Sequence, residues 1–345
     1  MGLMAAYFLQ KNGHNCAVYE RGNASLEHAT SYVAGGMLAP YCELDGTEKL
    51  IGDLGLDALE LWREIAAELG PSLDYQENGS LVVAHGSDKN ELDRFAHKVK
   101  IAGGGDGLKK VTGEEIDALE PALGGRFRQG FFVEREGQVD PRSLLPILRQ
   151  HLIKQGVRFY FNTEISIVDT RHLSINGQSH EFEWILDCRG LGARADRPTL
   201  RGVKGEIIII ETPEISFNRP VRLLHPRYPI YIIPRPDNLF LIGATSIENE
   251  DNNGVTVRSG LELLSAAYSL HPAFGEAHIV ELNANLRPAY PDNLPHIEVN
   301  GNLLSANGLY RHGYLLAPKI AQELSQFMAT GNPSNRYAEI FEVAA

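Results

Sequence analysis

Residues 1–22 read MGLMAAYFLQKNGHNCAVYERG. Leu3, Met4, Phe8 and Leu9 form an apolar face at helical spacing, and Gly13 is placed to end the helix. A short strand, Cys16-Ala-Val-Tyr19, then runs into Glu20. Helix, strand and acid make up the later half of a dinucleotide-binding unit. In such a unit glycines let the backbone approach a pyrophosphate at the helix N-terminus, and the acid binds ribose hydroxyls. Gly2 stands where the third glycine belongs, and Glu20 closes the strand 18 residues later. By itself this segment leaves an ordinary α/β unit open, because many such units end a strand on Glu.

Working outward, a Gly-rich stretch, Ser31-Tyr-Val-Ala-Gly-Gly-Met-Leu-Ala-Pro40, precedes a helix predicted over 53–69 and stopped by Gly70-Pro71. Asn78-Gly79 and Ser-Leu-Val-Val83 read as turn and strand, and a polar helix follows near 88–100. The run Gly103-Gly-Gly-Asp-Gly107 lacks phosphate-loop spacing and reads as a plain surface loop. Asp140-Pro141 is an N-cap with proline at the first helical position, and Leu144, Leu145, Leu148 and Leu152 follow at helical spacing to Gly156. Strands are predicted at 157–161, 165–168 and 182–187, then a β-rich region at 205–211, 230–233 and 239–242, read as an inserted antiparallel sheet. In 279–287, apolar Val280, Leu282, Ala284 and Leu286 alternate with polar Glu281, Asn283, Asn285 and Arg287, which predicts a strand with one dry and one polar face. Leu303-Leu-Ser-Ala306, a turn at Asn307-Gly308 and the loop Tyr310-Arg-His-Gly313 lead into a last helix.

The 345 residues suffice for roughly two domains, or one large α/β domain with an insertion. Lys plus Arg is 32 and Asp plus Glu 44, a formal charge of −12, which disfavours nucleic-acid and anionic-membrane partners and favours small molecules. With 43% hydrophobic and 22% charged residues the chain is globular, not disordered. Cys16, Cys42 and Cys188 are widely spaced, which predicts neither disulfides nor a metal site. The longest aliphatic run, Ile207 to Ile210, is far short of a membrane span, and no secretion signal is visible, so the expected location is the cytoplasm.

Glu20-Arg-Gly22, Thr30 to Pro40, Val139-Asp-Pro141, Asp187-Cys-Arg-Gly-Leu-Gly-Ala193, Leu286-Arg-Pro288 and Gly308-Leu-Tyr-Arg-His-Gly-Tyr-Leu-Leu-Ala-Pro318 together resemble the D-amino-acid oxidase family of FAD-dependent flavoproteins. Within it, the chain is most similar to the glycine-oxidising branch linked to thiamine biosynthesis, from Gly2 onward. The resemblance implies an α/β fold: a Rossmann-like doubly wound sheet whose first strand is missing, with an antiparallel-sheet α+β substrate domain. Residues 1–66, 137–204 and 293–345 would form the discontinuous FAD domain, and 67–136 with 205–292 the substrate domain. The implied reaction is FAD-dependent oxidative deamination of glycine or another small amino acid or amine. It gives the imino acid, then oxo acid and ammonia, with oxygen reduced to hydrogen peroxide.

Carried over residue by residue, Glu20 would bind the adenosine ribose. Ser31, Gly36 and Met37 would line the flavin and its phosphates, and Ile165 would touch adenine through its backbone. Arg311, His312, Gly313, Tyr314 and Leu315 would surround the flavin pyrimidine end, with Gly2, Arg21 and Gly190 in the same cofactor lining. Amides at the N-terminus of the last helix carry partial positive charge, suited to negative charge at that end of the ring. Arg287 would bind the substrate carboxylate through its guanidinium fork, Tyr231 would donate to the same carboxylate, and Arg311, Ser246, Ile230 and Pro229 would shape the pocket. The plainer alternatives are a solvent-facing Arg287 and a core Tyr231. The substrate amine must be neutral to give up hydride, which desolvation and a nearby arginine favour. His225, His271, His278, His296 and His312 read as surface or satisfied core groups, and Cys188 as packing. With no cysteine near the C-terminal loop, the FAD is expected to be non-covalent.

Two other readings compete: a D-amino-acid dehydrogenase passing electrons to quinone, and a cofactor-free remnant acting as an interaction protein. A homo-oligomer is left open. Because the first strand and two glycines of the fingerprint are not among these residues, the expectation is that the coding region upstream of Met1 supplies them in frame; the alternative is a truncated form that binds FAD poorly.

Overall fold

A computed structural model describes residues 1–344. Its α-helices are α1 (Gly2–Lys11), α2 (Pro40–Glu43), α3 (Lys49–Leu69), α4 (Lys89–Ile101), α5 (Gly113–Leu119), α6 (Pro141–Lys154), α7 (Val257–Leu270) and α8 (Gly313–Thr330). Their boundaries follow local chemistry. The Asp140 carboxylate accepts the Arg142 and Ser143 amides at the start of α6, Thr112 and Glu115 close a capping box on α5, and Thr256 caps α7. Gly331, left-handed at φ 72°, ends α8. Helix α3 begins at Lys49, a turn before the predicted start.

Strands Ala17–Tyr19 and Arg158–Tyr160 pair in parallel. A second sheet runs Ile185–Asp187, Leu303–Asn307, His296–Asn300, Phe341–Val343, with a parallel first pair. Helices α1, α3, α6 and α8 bury their apolar faces in one core with these strands, through Met4, Leu54, Trp62, Leu148, Leu304, Leu316 and Ile320. The predicted strand at 182–187 is shortened to Ile185–Asp187, which enters the second sheet; just before it, Gln178–Glu181 forms a separate antiparallel sheet with His172–Ile175 and Ile165–Ile167.

The third unit is an eight-stranded sheet in the order His278–Ala289, Arg201–Glu211, Leu239–Gly243, Ile230–Pro234, Val221–Leu224, Ser80–Ala84, Gln129–Val133, Lys109–Thr112. It corrects the expectation of a wholly antiparallel sheet, because Val221–Leu224 pairs with Ser80–Ala84 in parallel. That pairing joins segments about 140 residues apart and so leaves no turn signature in the sequence. One face of this sheet is closed by α7 and the 215–217 segment, with Ile208, Ile232, Phe240 and Leu263 buried between.

A second correction concerns strand His278–Ala289. Its apolar positions are not dry: Val280 and Leu282 are 46% and 52% exposed. The strand lies at the sheet edge, and a register shift opposite Ile209/Ile210 breaks the alternation. Its polar positions are the engaged ones: Glu281 forms a forked ion pair with Arg142 at 2.6 Å. The glycine run is likewise not a free surface loop, since Gly104 packs on Leu44 and Tyr41 and Gly107 on Tyr41. Among the described residues no helix is long and apolar enough to cross a membrane, and the three cysteines are unpaired. Residue 345, the last of the expected FAD-domain range, lies outside the described residues.

Candidate active site

Arg287 sits on the polar side of the edge strand, and its neighbour Gly205 explains how the guanidinium fits: a Cβ there would overlap it. Nη1 donates to the carbonyls of Thr245 (3.0 Å) and Lys204 (3.4 Å). Among the described residues no carboxylate lies within ion-pairing distance of it. Burial pulls its pKa below the ordinary arginine value, the signature of a desolvated cation without a counter-ion.

Tyr231 lies three strands away in the sheet, its ring covering Gly243 and Gly35, where a Cβ would come within 2.6 and 3.2 Å of it. Burial raises its phenol, so the hydroxyl stays protonated and able to donate. Met37, Val33 and Ala244 pack on the same side of the sheet with Tyr231 and Ile233. Ile230 is a correction: strand alternation turns it to the opposite face, buried with Ile232 and Phe240 against α7, so it cannot line the pocket. Ser246 does lie here, its hydroxyl 3.0 Å from that of Tyr310.

Arg311 and His312 precede α8. Arg311 Nη2 is 4.0 Å from Glu43 Oε2, and His312 Nδ1 is 3.2 Å from the same oxygen. The second contact has ion-pair distance but not hydrogen-bond angles, so both ring nitrogens of buried His312 lack a hydrogen-bond partner. That overturns its reading as a satisfied core group. Burial alone would raise the Glu43 carboxyl, but Arg311, His312 and Arg222 outweigh it and hold the group well below the usual carboxylate range. Nearby, Arg222 donates to the Cys42 carbonyl (3.0 Å), and the Cys42 amide donates to Glu136 Oε1 (2.7 Å). Glu136 Oε2 is buried without a partner, and burial pushes this carboxyl up to about 7.

The residues expected to hold a dinucleotide form a track. The Thr163 amide donates to the Glu20 carbonyl (2.9 Å), which brings the Ile165 strand beside Glu20, while Glu20 Oε1 accepts the Gly22 amide (2.7 Å). Arg21 reaches the Gly190–Ala193 turn, 4.0 Å from a Cβ built at Gly192. Gly2 lies beside Cys188, whose thiol burial pushes up to about 11, consistent with packing. Thr30 Oγ1 donates to the Leu286 carbonyl (3.1 Å), and Tyr314 donates to the Ser31 carbonyl (2.9 Å). Gly36, at φ 65°, has no room for a Cβ against the Val139 carbonyl. These features fit a flat, phosphate-bearing cofactor. Helices α1 and α8 begin without a side-chain cap, as α2, α3 and α4 also do, while His312 has orphaned ring nitrogens and the Gly36, Gly190 and Gly308 backbones are left-handed. No group of three His, Cys, Asp or Glu gathers to hold a metal among the described residues.

Sequence reasoning missed Glu43, Tyr310, Thr245, Arg222 and Glu136. Tyr310 lies within, and Glu43 three residues past, motifs that carried the resemblance, so position was the available signal; Arg222 and Glu136 had none.

Residues 1–327 match the family described as FAD dependent oxidoreductase (DAO). The chain is 43% identical over 338 residues to a Rhizobium etli oxidoreductase assigned to thiamine biosynthesis (ThiO), covering 97% of this chain and 96% of that protein. It is 28% identical over 337 residues to the glycine oxidase of Geobacillus kaustophilus, covering 92% and 87% of the two chains. The crystal structure of the glycine oxidase from Geobacillus kaustophilus superposes with a TM-score of 0.82 at 24% identity, covering 97% of this chain and 93% of that one.

Proposed function

Because the chain belongs to the DAO family of FAD-dependent oxidoreductases, we propose that it oxidatively deaminates glycine or another small amino acid. Amino acid, oxygen and water are converted to oxo acid, ammonia and hydrogen peroxide. The observation that carries this reading is Arg287, a half-buried guanidinium held by backbone carbonyls alone, with no carboxylate of the described residues at ion-pair distance and its pKa lowered by desolvation. Such a cation is poised for an external anion.

Arg287 then anchors the substrate carboxylate, and Tyr231 donates a second hydrogen bond from its protonated phenol. Two fixed donors orient the substrate and leave its amine and Cα towards the Gly35–Met37 side of the pocket. Arg287 and the desolvated surroundings disfavour an ammonium there, so the substrate amine loses its proton on binding. The Tyr310–Ser246 bridge limits the room left for a side chain, in keeping with a small substrate.

FAD, bound non-covalently, supplies the two-electron acceptor for oxidation of the Cα–H bond. For its binding, Glu20 has one oxygen on the Gly22 amide and the other for a ribose hydroxyl. Gly2, Arg21, Ile165 and Gly190 complete the adenosine and phosphate side, and Ser31, Gly36, Met37 and Arg311 to Leu315 the ring side. Residues 1–66, 137–204 and 293–345 form the cofactor domain in this reading, and the rest the substrate domain. The strand pairs 17–19 with 158–160 and 185–187 with 303–307 would then be halves of one Rossmann-like sheet.

The test is a flavin absorption spectrum of the purified protein, followed by peroxide and ammonia assays on glycine, sarcosine and D-alanine. Flavin content with stoichiometric peroxide and ammonia supports the reading. A flavin-loaded protein that oxidises none of these in oxygen or with a quinone refutes it.

A further inference from the structure

Charge in the pocket is unevenly compensated. Arg287 has no ion-pair partner and its pKa is lowered by burial, whereas Arg311 and His312 share a single carboxylate, Glu43, at 4.0 and 3.2 Å. Arg222, without a close ion pair, lies in the field of the same carboxylate. Glu43 ends α2, the four-residue helix that follows the Gly35–Met37 turn, and its side chain is only 16% exposed. Among the described residues it is the only carboxylate within ion-pairing distance of Arg311 or His312. Its field also reaches Tyr231 and Arg287. Glu136, the other acid nearby, carries little charge below neutral pH. Glu43 therefore holds the fixed negative charge on this side of the pocket.

We propose that Glu43 is a specificity-determining residue, whose carboxylate offsets the Arg311 and Arg222 charges together so that Arg287 is left as the cation to take an anion, restricting ligands to those with one carboxylate. The inference rests on Arg287 being the carboxylate anchor. A ligand with a second anionic group would find Arg311 already occupied and would meet Glu43 in a desolvated space, where like-charge repulsion discriminates strongly. The substrate class is thus the neutral-side-chain or unsubstituted α-amino monocarboxylates, with aminodicarboxylates and aminophosphonates turned away.

The experiment measures dissociation constants by calorimetry on the flavin-loaded protein, for glycolate as the monocarboxylate probe and malonate as the dicarboxylate. Wild type should bind glycolate more tightly. In Glu43→Gln the malonate-to-glycolate affinity ratio should rise by about tenfold, and by at least about fivefold, while Glu43→Asp, which keeps the charge, should stay within about fivefold of wild type. A smaller change in Glu43→Gln, or an equal change in Glu43→Asp, overturns the proposal. Should Glu43→Gln not fold, the wild type decides alone: malonate bound as tightly as glycolate overturns it, and weaker binding supports it. If wild type binds neither acid, the Arg287 reading itself fails and this inference with it. If it binds both and the ratio does not move, only the role of Glu43 fails.

Discussion

Replacing Arg287 with alanine removes the guanidinium but little else that holds the fold. The Lys204 carbonyl keeps the Ile247 amide as a donor at 3.0 Å, and no carboxylate of the chain loses a partner. The full effect should therefore fall on the ligand. Truncating one side of a buried, hydrogen-bonded charge pair costs about 2–5 kcal/mol, which is roughly 30-fold to several-thousand-fold in kcat/KM at about 1.4 kcal/mol per decade. The upper part of that range is expected, because the substrate carboxylate would lose the cation that anchors it in a largely desolvated pocket. Arg287→Lys should recover part of the loss, as a point charge restores attraction but not the two parallel hydrogen bonds. The assay is steady-state peroxide production with glycine, and with an amine of similar size lacking a carboxylate, after the flavin spectrum has shown that cofactor is retained. Loss confined to glycine is the expected result. An unchanged kcat/KM, or an equal loss with the carboxylate-free amine, would refute the anchor.

Tyr231→Phe should cost less than Arg287→Ala, at most about 1.5–3 kcal/mol, because one hydroxyl donating to a carboxylate is a single charge-assisted bond; a larger loss by the same assay reverses the two roles. Gly205→Ala should mimic an arginine variant without touching its charge, since the added Cβ would overlap the Arg287 guanidinium; KM for glycine should rise while the far-ultraviolet circular dichroism stays that of wild type. Glu136→Gln bears on pH. The folded carboxyl titrates at about 7 against 4.5 unperturbed, so its proton-linked stability is present in full below the unfolded value and is lost as pH rises through 7. For so deeply buried a group the loss totals roughly 3 kcal/mol. Urea unfolding at pH 5 and pH 8 should show wild type weakening across that interval and Glu136→Gln weakening less, and parallel pH dependence of the two would contradict the assignment.

What the sequence made legible was local. Helix α6 could be read because Asp140, Pro141 and four leucines act within one segment, and its cap and buried face depend on no distant residue. The Gly2–Glu20 unit and the loop before α8 were legible for the same reason. The parallel pairing of Val221–Leu224 with Ser80–Ala84 was not, because nothing local to either strand specifies a partner so far along the chain. Alternation in 279–287 announced two faces, yet which face is engaged depends on what packs there. The polar face meets Arg142 and the Arg287 pocket, and the apolar one lies open at the sheet edge.

The same limit separates the identity of Arg287 from its significance. Arginines elsewhere are locked to acids of the chain: Arg189 and Arg197 to Asp187, Arg219 to Glu120, Arg142 to Glu281. Each is a closed pair whose charge is spent on the fold. Arg222 also lacks an acid at ion-pair distance among the described residues and donates to the Cys42 carbonyl, but the field of Glu43, Asp45 and Glu136 outweighs its burial and raises its pKa. Arg287 differs in having neither an ion pair nor enough nearby negative charge to offset its burial, and Arg311 in sharing its acid with His312. Neither property is written in residue type or spacing, because a counter-ion is supplied through space by elements as distant as α2 and the 308–313 loop. Motif resemblance could therefore point to an arginine, while only the three-dimensional census of carboxylates distinguishes the guanidinium kept open for a ligand from the one already answered by Glu43.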